Sequence, residues 1–286
     1  MHVGLLSGTL PMLFGPYASQ LVILANELIR RGHAISWLSV NKNAGRAHVP
    51  LEYNVTVLAV MPPEENQGQP LYVSQLNDFV LARGIEVIVS LMDLNRIFVD
   101  ESFALPSIAW FPNHFERLDI SSRHALAAYD TIAALAPSDA ISIAQQLPHK
   151  RVEHVPHAID PPLVSASTRS LRKKHGVPLD AFVVLVMFAN YESNAARKSP
   201  DVAVLAFQQL QQRLPRAFLW VHAVAMSAIS RGAANEDGIS ISGLISAVGL
   251  PSGSFKLSSD DKSPGEVHEL LKLSDVLLQP SKAEGF

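Results

Sequence analysis

The strongest constraint on this chain is a recurring alternation. Short aliphatic runs, apolar at nearly every position, alternate with stretches in which apolar residues recur at helical spacing. A strand that is apolar on both faces must be covered on both faces. Such runs interleaved with helices therefore specify parallel sheets with helices packed above and below. In the first half the strand-like runs fall at 2–7, 34–40, 55–60, 86–91, 107–111, 131–135 and 152–155. Between the first two, Leu21, Leu24, Ala25 and Leu28 predict a helix from Tyr17 to Arg31, closed by Gly32. Ser138 to Gln146 predicts another, with Ser138 as its N-cap.

The pattern changes over 156–175. Pro156, Pro161 and Pro162 precede a Ser/Thr stretch and the basic run Arg172-Lys173-Lys174, which together look like a solvated connection. A second series opens at Phe182. It runs through a helix near 200–213, a strand at 217–223, a helix near 239–248, a strand near 254–257, a helix near 264–273 and a strand at 275–279. The expected division is an N-terminal domain over 1–160, a linker over 161–180 and a C-terminal domain over 181–286. The second series ends on a strand and a short loop with no covering helix, so the second domain is expected to be incomplete.

Composition narrows the chemistry. The 286 residues include no cysteine, which removes disulfides, thiolate catalysis and Cys-based metal sites. A net charge of −3 gives no electrostatic reason to propose nucleic acid as a partner. The N-terminus enters a strand at once, without the basic and apolar regions of a signal peptide, and no apolar run approaches a bilayer span. A cytoplasmic protein with at most peripheral membrane contact is expected. His154 and His157 have H-x-x-H spacing, but they straddle a strand end without an evident third ligand and are read as structural.

Doubly wound sheets bind ligands beyond the carboxyl ends of their strands, so the residues after each strand are the candidates. After the first strand, Gly8 and Gly15 would let backbone approach an anion at a helix N-terminus, although simple turn chemistry accounts for them equally well. After 107–111, His114 is placed as a polar contact or proton carrier, or as a plain surface residue. After Phe182–Phe188, Asn190 leads into Arg197-Lys198-Ser199-Pro200. Ser199 suits an N-cap and Pro200 the first helical position, so two cations precede a helix start, a pattern suited to a diphosphate, although a plain solvated basic pair accounts for it equally well. After 275–279, Glu284 could accept hydrogen bonds from sugar hydroxyls while Gly285 admits close backbone approach, or the segment is simply a turn.

Taken in order, these loops resemble the GT-B glycosyltransferases of the group 1, retaining type. The resemblance lies in the Gly15 loop, in Arg31-Gly32-His33, in Val155-Pro156-His157-Ala158-Ile159-Asp160, in Arg197-Lys198, and in Ser274-Asp275-Val276 with Pro280-Ser281 and Glu284-Gly285-Phe286. The chain departs from the pattern at Ala158, where Gly is usual, and at Ala189-Asn190, where Gly-Arg is usual. The resemblance implies two Rossmann-like domains facing across a cleft and transfer of a sugar from a UDP- or GDP-sugar, without metal, to an acceptor hydroxyl. The acceptor would be a glycan, a lipid or a small molecule. It implies that Lys198 binds the donor diphosphate, helped by Arg197 near Asn190. Glu284, Gly285 and Phe286 would hold the sugar, with Gly15 and His114 contacting phosphate or sugar. No tightly bound cofactor is implied, and the leaving phosphate itself would assist front-face attack. The chain as it stands is expected to be weakly active or inactive, because its last motif is only begun. A sugar-nucleotide epimerase, a phosphorylase and a non-catalytic two-lobe sugar-binding protein are the competing readings.

Overall fold

The computed structural model describes residues 1–8, 16–39, 49–50, 54–59, 71–94, 97–113, 117–159, 164–190, 197–224, 239–260 and 262–282. It divides into two compact units, the first over Met1–Ile159 and the second over Asp160–Ala283.

In the first unit the strands are β1 (His2–Ser7), β2 (Ala34–Ser39), β3 (Val49–Pro50), β4 (Asn54–Ala59), β6 (Val87–Leu91), β8 (Ser107–Phe111), β9 (Thr131–Ala134) and β10 (Arg151–His154). They form one sheet in the order β10-β9-β8-β6-β1-β2-β4-β3. Every described pairing is parallel except that of β3 with β4. A small parallel pair, β5 (Leu71–Tyr72) with β7 (Ile97–Phe98), stands apart from it. Side chains alternate between faces along β1. Val3 and Leu5 pack in one core with Trp37 and with Leu21 and Ala25 of helix α1 (Pro16–Arg30). Leu6 packs in the other core with Leu38, Ile88 and Leu126. Both faces are therefore dry, which is why the strand sequences are continuously apolar. Gly4 has no room for a side chain: a Cβ there would lie 2.9 Å from Leu38 Cδ1 and 3.2 Å from Ile85 Cγ2. Helices α2 (Val73–Leu81) and α3 (Ile120–Ala127), absent from the sequence reading, complete the unit with α4 (Pro137–Gln146). Helix α4 starts one residue earlier than expected. Pro137 takes the first turn and Ala136 the cap position, so Ser138 is inside the helix.

The second unit holds β11 (Phe182–Ala189), β12 (Ala217–Val224), β13 (Phe255–Ser258) and β14 (Val276–Leu277) in the order β13-β12-β11-β14, all parallel. Helices α6 (Pro200–Arg213) and α7 (Ile241–Val248) cover one face through Phe207, Ile241 and Ile245. On the other face lie Leu171 of α5 (Thr168–His175) and Leu270 and Leu273 of α8 (Pro264–Leu273). The last strand is shorter than the expected 275–279, and both its side chains are exposed.

Helix α5 corrects the reading of 156–175 as a solvated connection. Ser167 caps it by accepting a hydrogen bond from the Ser170 amide, and Gly176 ends it at φ +67°. Arg172, expected in solvent, is 7% exposed. Its guanidinium donates to the carbonyls of Leu273 (3.0 Å), Leu179 (3.2 Å) and Ala181 (3.0 Å), and to Asp275 Oδ2 at 2.8 Å. Asp275 Oδ2 also accepts the Val183 amide at 2.7 Å. A buried charge is tolerable only when paired and saturated with hydrogen bonds, and this one is. The group joins α5, the start of β11 and the entry to β14.

Candidate functional site

Each sheet has one place where the winding of the chain reverses. In the first unit it lies between β1 and β6, because β2 and β4 extend one side while β8, β9 and β10 extend the other. In the second it lies between β11 and β14, because β12 and β13 go one way and β14 the other. The loops leaving the carboxyl ends of two such strands diverge to opposite faces and open a crevice, the usual ligand position in these sheets.

At the second-unit crevice, Arg197 and Lys198 immediately precede α6, both half-buried. The Lys282 amide, beyond β14, donates to the Arg197 carbonyl at 2.8 Å, so the two diverging loops are joined at this point. The sequence does not reveal that link, because it is a main-chain bond between residues far apart in the chain. Ser199 corrects the N-cap expectation. It sits at φ +50°, ψ +55° and makes no capping hydrogen bond. Ser199 is the one non-glycine residue with positive φ among those described. It is 1% exposed, and its Oγ, like the Oγ of Ser281, is buried without a partner. A left-handed serine costs about 1–2 kcal/mol. Strain of this kind persists where surrounding structure imposes it, often beside a ligand site. Pro200 does occupy the first helical turn, as its fixed φ suits.

Asn190, at the end of β11, is bound to protein on both sides of its carboxamide. Its Nδ2 donates to the Ile239 carbonyl and its Oδ1 accepts the Ile239 amide, both at 3.0 Å. This pins the segment that enters α7, where Ser240 caps by accepting the Gly243 amide at 3.1 Å. Beside it, a cavity of about 260 Å³ opens at the carboxyl ends of β11, β12 and β13. A second hollow, about 640 Å³, lies at the amino ends of the same strands, around Gln211, Arg216 and Pro251. That edge is not where doubly wound sheets hold ligands.

At the first-unit crevice, Tyr17 in the first turn of α1 donates to Asp93 Oδ1 at 2.8 Å, two residues past β6. Asn113, past β8 and 8% exposed, donates to Asp139 Oδ1 at 3.3 Å. Asp93 and Asp139 escaped the sequence reading; their positions after a strand and at a helix start were the available signal. The segment after β10 is held firmly. The Trp110 indole donates to the Val155 carbonyl at 2.9 Å. Gln20 accepts the Ala158 amide at 2.7 Å and donates to the Ala158 carbonyl at 2.8 Å. His157 meets the Trp110 ring edge-on at 5.4 Å, and its Nε2 is buried without a partner. Burial lowers its pKa by disfavouring the charged ring. His154 Nε2 instead pairs with the Leu135 carbonyl.

The structure thus brings Arg197, Lys198 and the Lys282 main chain together, and Asn190 borders the neighbouring cavity. Gly15, His114, Glu284, Gly285 and Phe286 lie outside the described residues.

Many solved structures resemble this chain, and three that do so over nearly its whole length illustrate the likeness. Sucrose-phosphate synthase from Thermosynechococcus elongatus matches with a TM-score of 0.68 at 12% identity, covering 100% of this chain and 76% of that one. A glycosyltransferase from Rickettsia africae gives a TM-score of 0.61 at 14% identity, over 98% of this chain and 73% of that one. The chain has the GT-B fold. A third GT-B neighbour, UDP-GlcNAc 2-epimerase from Neisseria meningitidis bound to UDP-GlcNAc, gives 0.56 at 12% identity, over 99% and 78%. No family model matches the sequence, and no curated protein does. Among the described residues no helix is long and apolar enough to cross a membrane.

Proposed function

We propose that this GT-B chain is a glycosyltransferase moving a hexosyl group from a nucleoside-diphosphate sugar to an acceptor hydroxyl, with retention and without metal. In this reading the first unit takes the acceptor and the second holds the donor. The observation that carries it is the crevice between β11 and β14, where Arg197 and Lys198 stand at the start of α6 and their loop is tied to Lys282. Two cations beside the positive end of a helix suit a diphosphate, and they stabilise the charge that grows on it as the sugar departs.

The roles follow from position. Lys198 and Arg197 grip the diphosphate. Glu284, with the main chain of Gly285 and Phe286, holds the sugar a few residues past Lys282. Gly15 and His114, which follow β1 and β8 in the sequence, contact phosphate or sugar. Asn190 serves the donor indirectly, by positioning Ile239. With charge supplied by side chains, catalysis rests on positioning and electrostatics rather than on a metal.

A sugar-nucleotide epimerase is the second reading, because one GT-B neighbour of this chain bears that name. The test is to incubate the protein with UDP- and GDP-sugars, with and without a panel of hydroxyl acceptors, and follow products by mass spectrometry and NMR. Transfer releases nucleoside diphosphate and leaves the anomeric configuration of the donor in the product. Isomerised donor with no acceptor dependence selects the epimerase. Absence of binding to any nucleotide sugar defeats both.

A further inference from the structure

The hollow of about 640 Å³ at the amino ends of β11, β12 and β13 takes no part in the donor reading. A strand as long as β11 rises about 25 Å, which sets the hollow that far from the crevice at the carboxyl ends. Doubly wound sheets take their principal ligand at the carboxyl edge, so a molecule held here is additional to it. The volume lies within the roughly 300–1,000 Å³ of small-molecule sites.

The walls are three loops and one helix, and each is fixed. Arg216, before β12, donates from Nη1 to the Asp180 carbonyl, before β11, at 2.9 Å. Gln208 of α6 donates to the Val248 carbonyl at the end of α7 at 2.7 Å. Before β13, Ser254 closes a turn onto the Pro251 carbonyl through its amide (3.1 Å) and its hydroxyl (2.7 Å). The amides of Phe182, Ala217 and Leu219 donate to the carbonyls of Arg216, Leu214 and Ser254. With these main-chain donors committed, recognition in the hollow falls to side chains. A peptide held by main-chain pairing is therefore poorly served.

The side chains have a distinct chemistry. Gln211, half-buried, and Gln212, exposed, both line the hollow from α6. Among the described residues neither carboxamide has a partner, and nor does the Asp180 carboxylate. A carboxamide both donates and accepts, as a sugar hydroxyl does, so the two pair in either direction. Asp180 and Arg216 bring one charge of each sign, which suits a ligand without net charge. Pro178, Pro215 and Pro251, one from each loop, add rigid apolar surface for C–H faces. Many hydroxyls, no net charge and apolar ring faces together describe a neutral carbohydrate. Gln212, Arg216 and Pro251 are exposed, so a chain of sugars can run on past the rim.

We propose that this hollow, bounded by Gln211, Gln212, Asp180 and Arg216, binds a neutral oligosaccharide at a site separate from the donor crevice. The assignment stands on the hollow itself and does not depend on the transferase reading.

Titration calorimetry on the intact chain tests it, with maltotriose, cellotriose, mannotriose and tri-N-acetylchitotriose as probes. At least one is expected to bind with a Kd of about 1 mM or tighter, and equally well with UDP or inorganic phosphate present. Gln211→Ala combined with Gln212→Ala removes two carboxamides and should weaken that sugar about tenfold while leaving UDP affinity unchanged. Gln212→Ala alone, at an exposed position that spares the fold, should weaken it about threefold. If none of the four sugars binds, the site is refuted. Displacement of the sugar by phosphate overturns the neutral-ligand assignment. Displacement by UDP, or undiminished binding in both variants, overturns the location. A sugar that binds where UDP does not removes the donor reading and leaves this site standing.

Discussion

Ser199 offers a quantitative test of the strain at the start of α6. Its left-handed backbone costs about 1–2 kcal/mol relative to glycine. Its buried, unpartnered hydroxyl costs a further 1–3 kcal/mol or so. Glycine removes both but gains freedom in the unfolded chain, which costs back about 0.5–1 kcal/mol. Ser199→Gly should therefore stabilise the second unit by about 2 kcal/mol, read as a rise in melting temperature of about 6–8 °C for a unit of this size. Ser199→Ala removes the hydroxyl but keeps the strained backbone, so it should stabilise by about half as much. The difference between the variants isolates the backbone cost. Differential scanning calorimetry on the three proteins gives the comparison. If glycine is no better than alanine, or both melt below the parent protein, the strain argument is wrong.

Other expectations follow from the same geometry. Arg172→Ala leaves Asp275 without its cation and three carbonyls without a donor, so it should cost about 3 kcal/mol in denaturant unfolding, and Arg172→Lys should recover only part of that. His157 has a folded pKa below its ordinary value of about 6.5, so the unfolded chain binds the proton more readily. Its contribution is intact above that pH and is lost as pH falls towards the folded pKa. The melting temperature should therefore drop more steeply between pH 7.5 and 5 in the parent protein than in His157→Gln; parallel curves would contradict this.

Most of the sheet framework was legible in the sequence, because strands covered on both faces must be apolar at successive positions. Val3 to Leu6 and Val183 to Val186 show this plainly. Shorter elements were harder to read. Helix α5 has a proper Ser167 cap and a Gly176 stop, yet it contributes only Leu171 as an apolar anchor, so its charges suggested a solvated run. Its burial of Arg172 depends on Asp275, more than a hundred residues later, and no local pattern reports such a partner. Serine before Pro200 satisfied the rule for a helix cap, but the backbone there turns left-handed and the rule lapses. Asn190 was singled out in the sequence by its place after the first strand of the second series. Its pairing with Ile239 is a tertiary contact that no local pattern reports.

The most direct test is UDP affinity in the parent protein, Arg197→Ala and Lys198→Ala, measured by calorimetry at two salt concentrations. Each charge-assisted hydrogen bond to phosphate is worth about 1.5–3 kcal/mol, so each variant should bind UDP roughly ten- to a hundredfold more weakly, with a shallower dependence on salt. Unchanged affinity in both variants would mean that the diphosphate does not lie at the crevice between β11 and β14, and the donor assignment would fall with it.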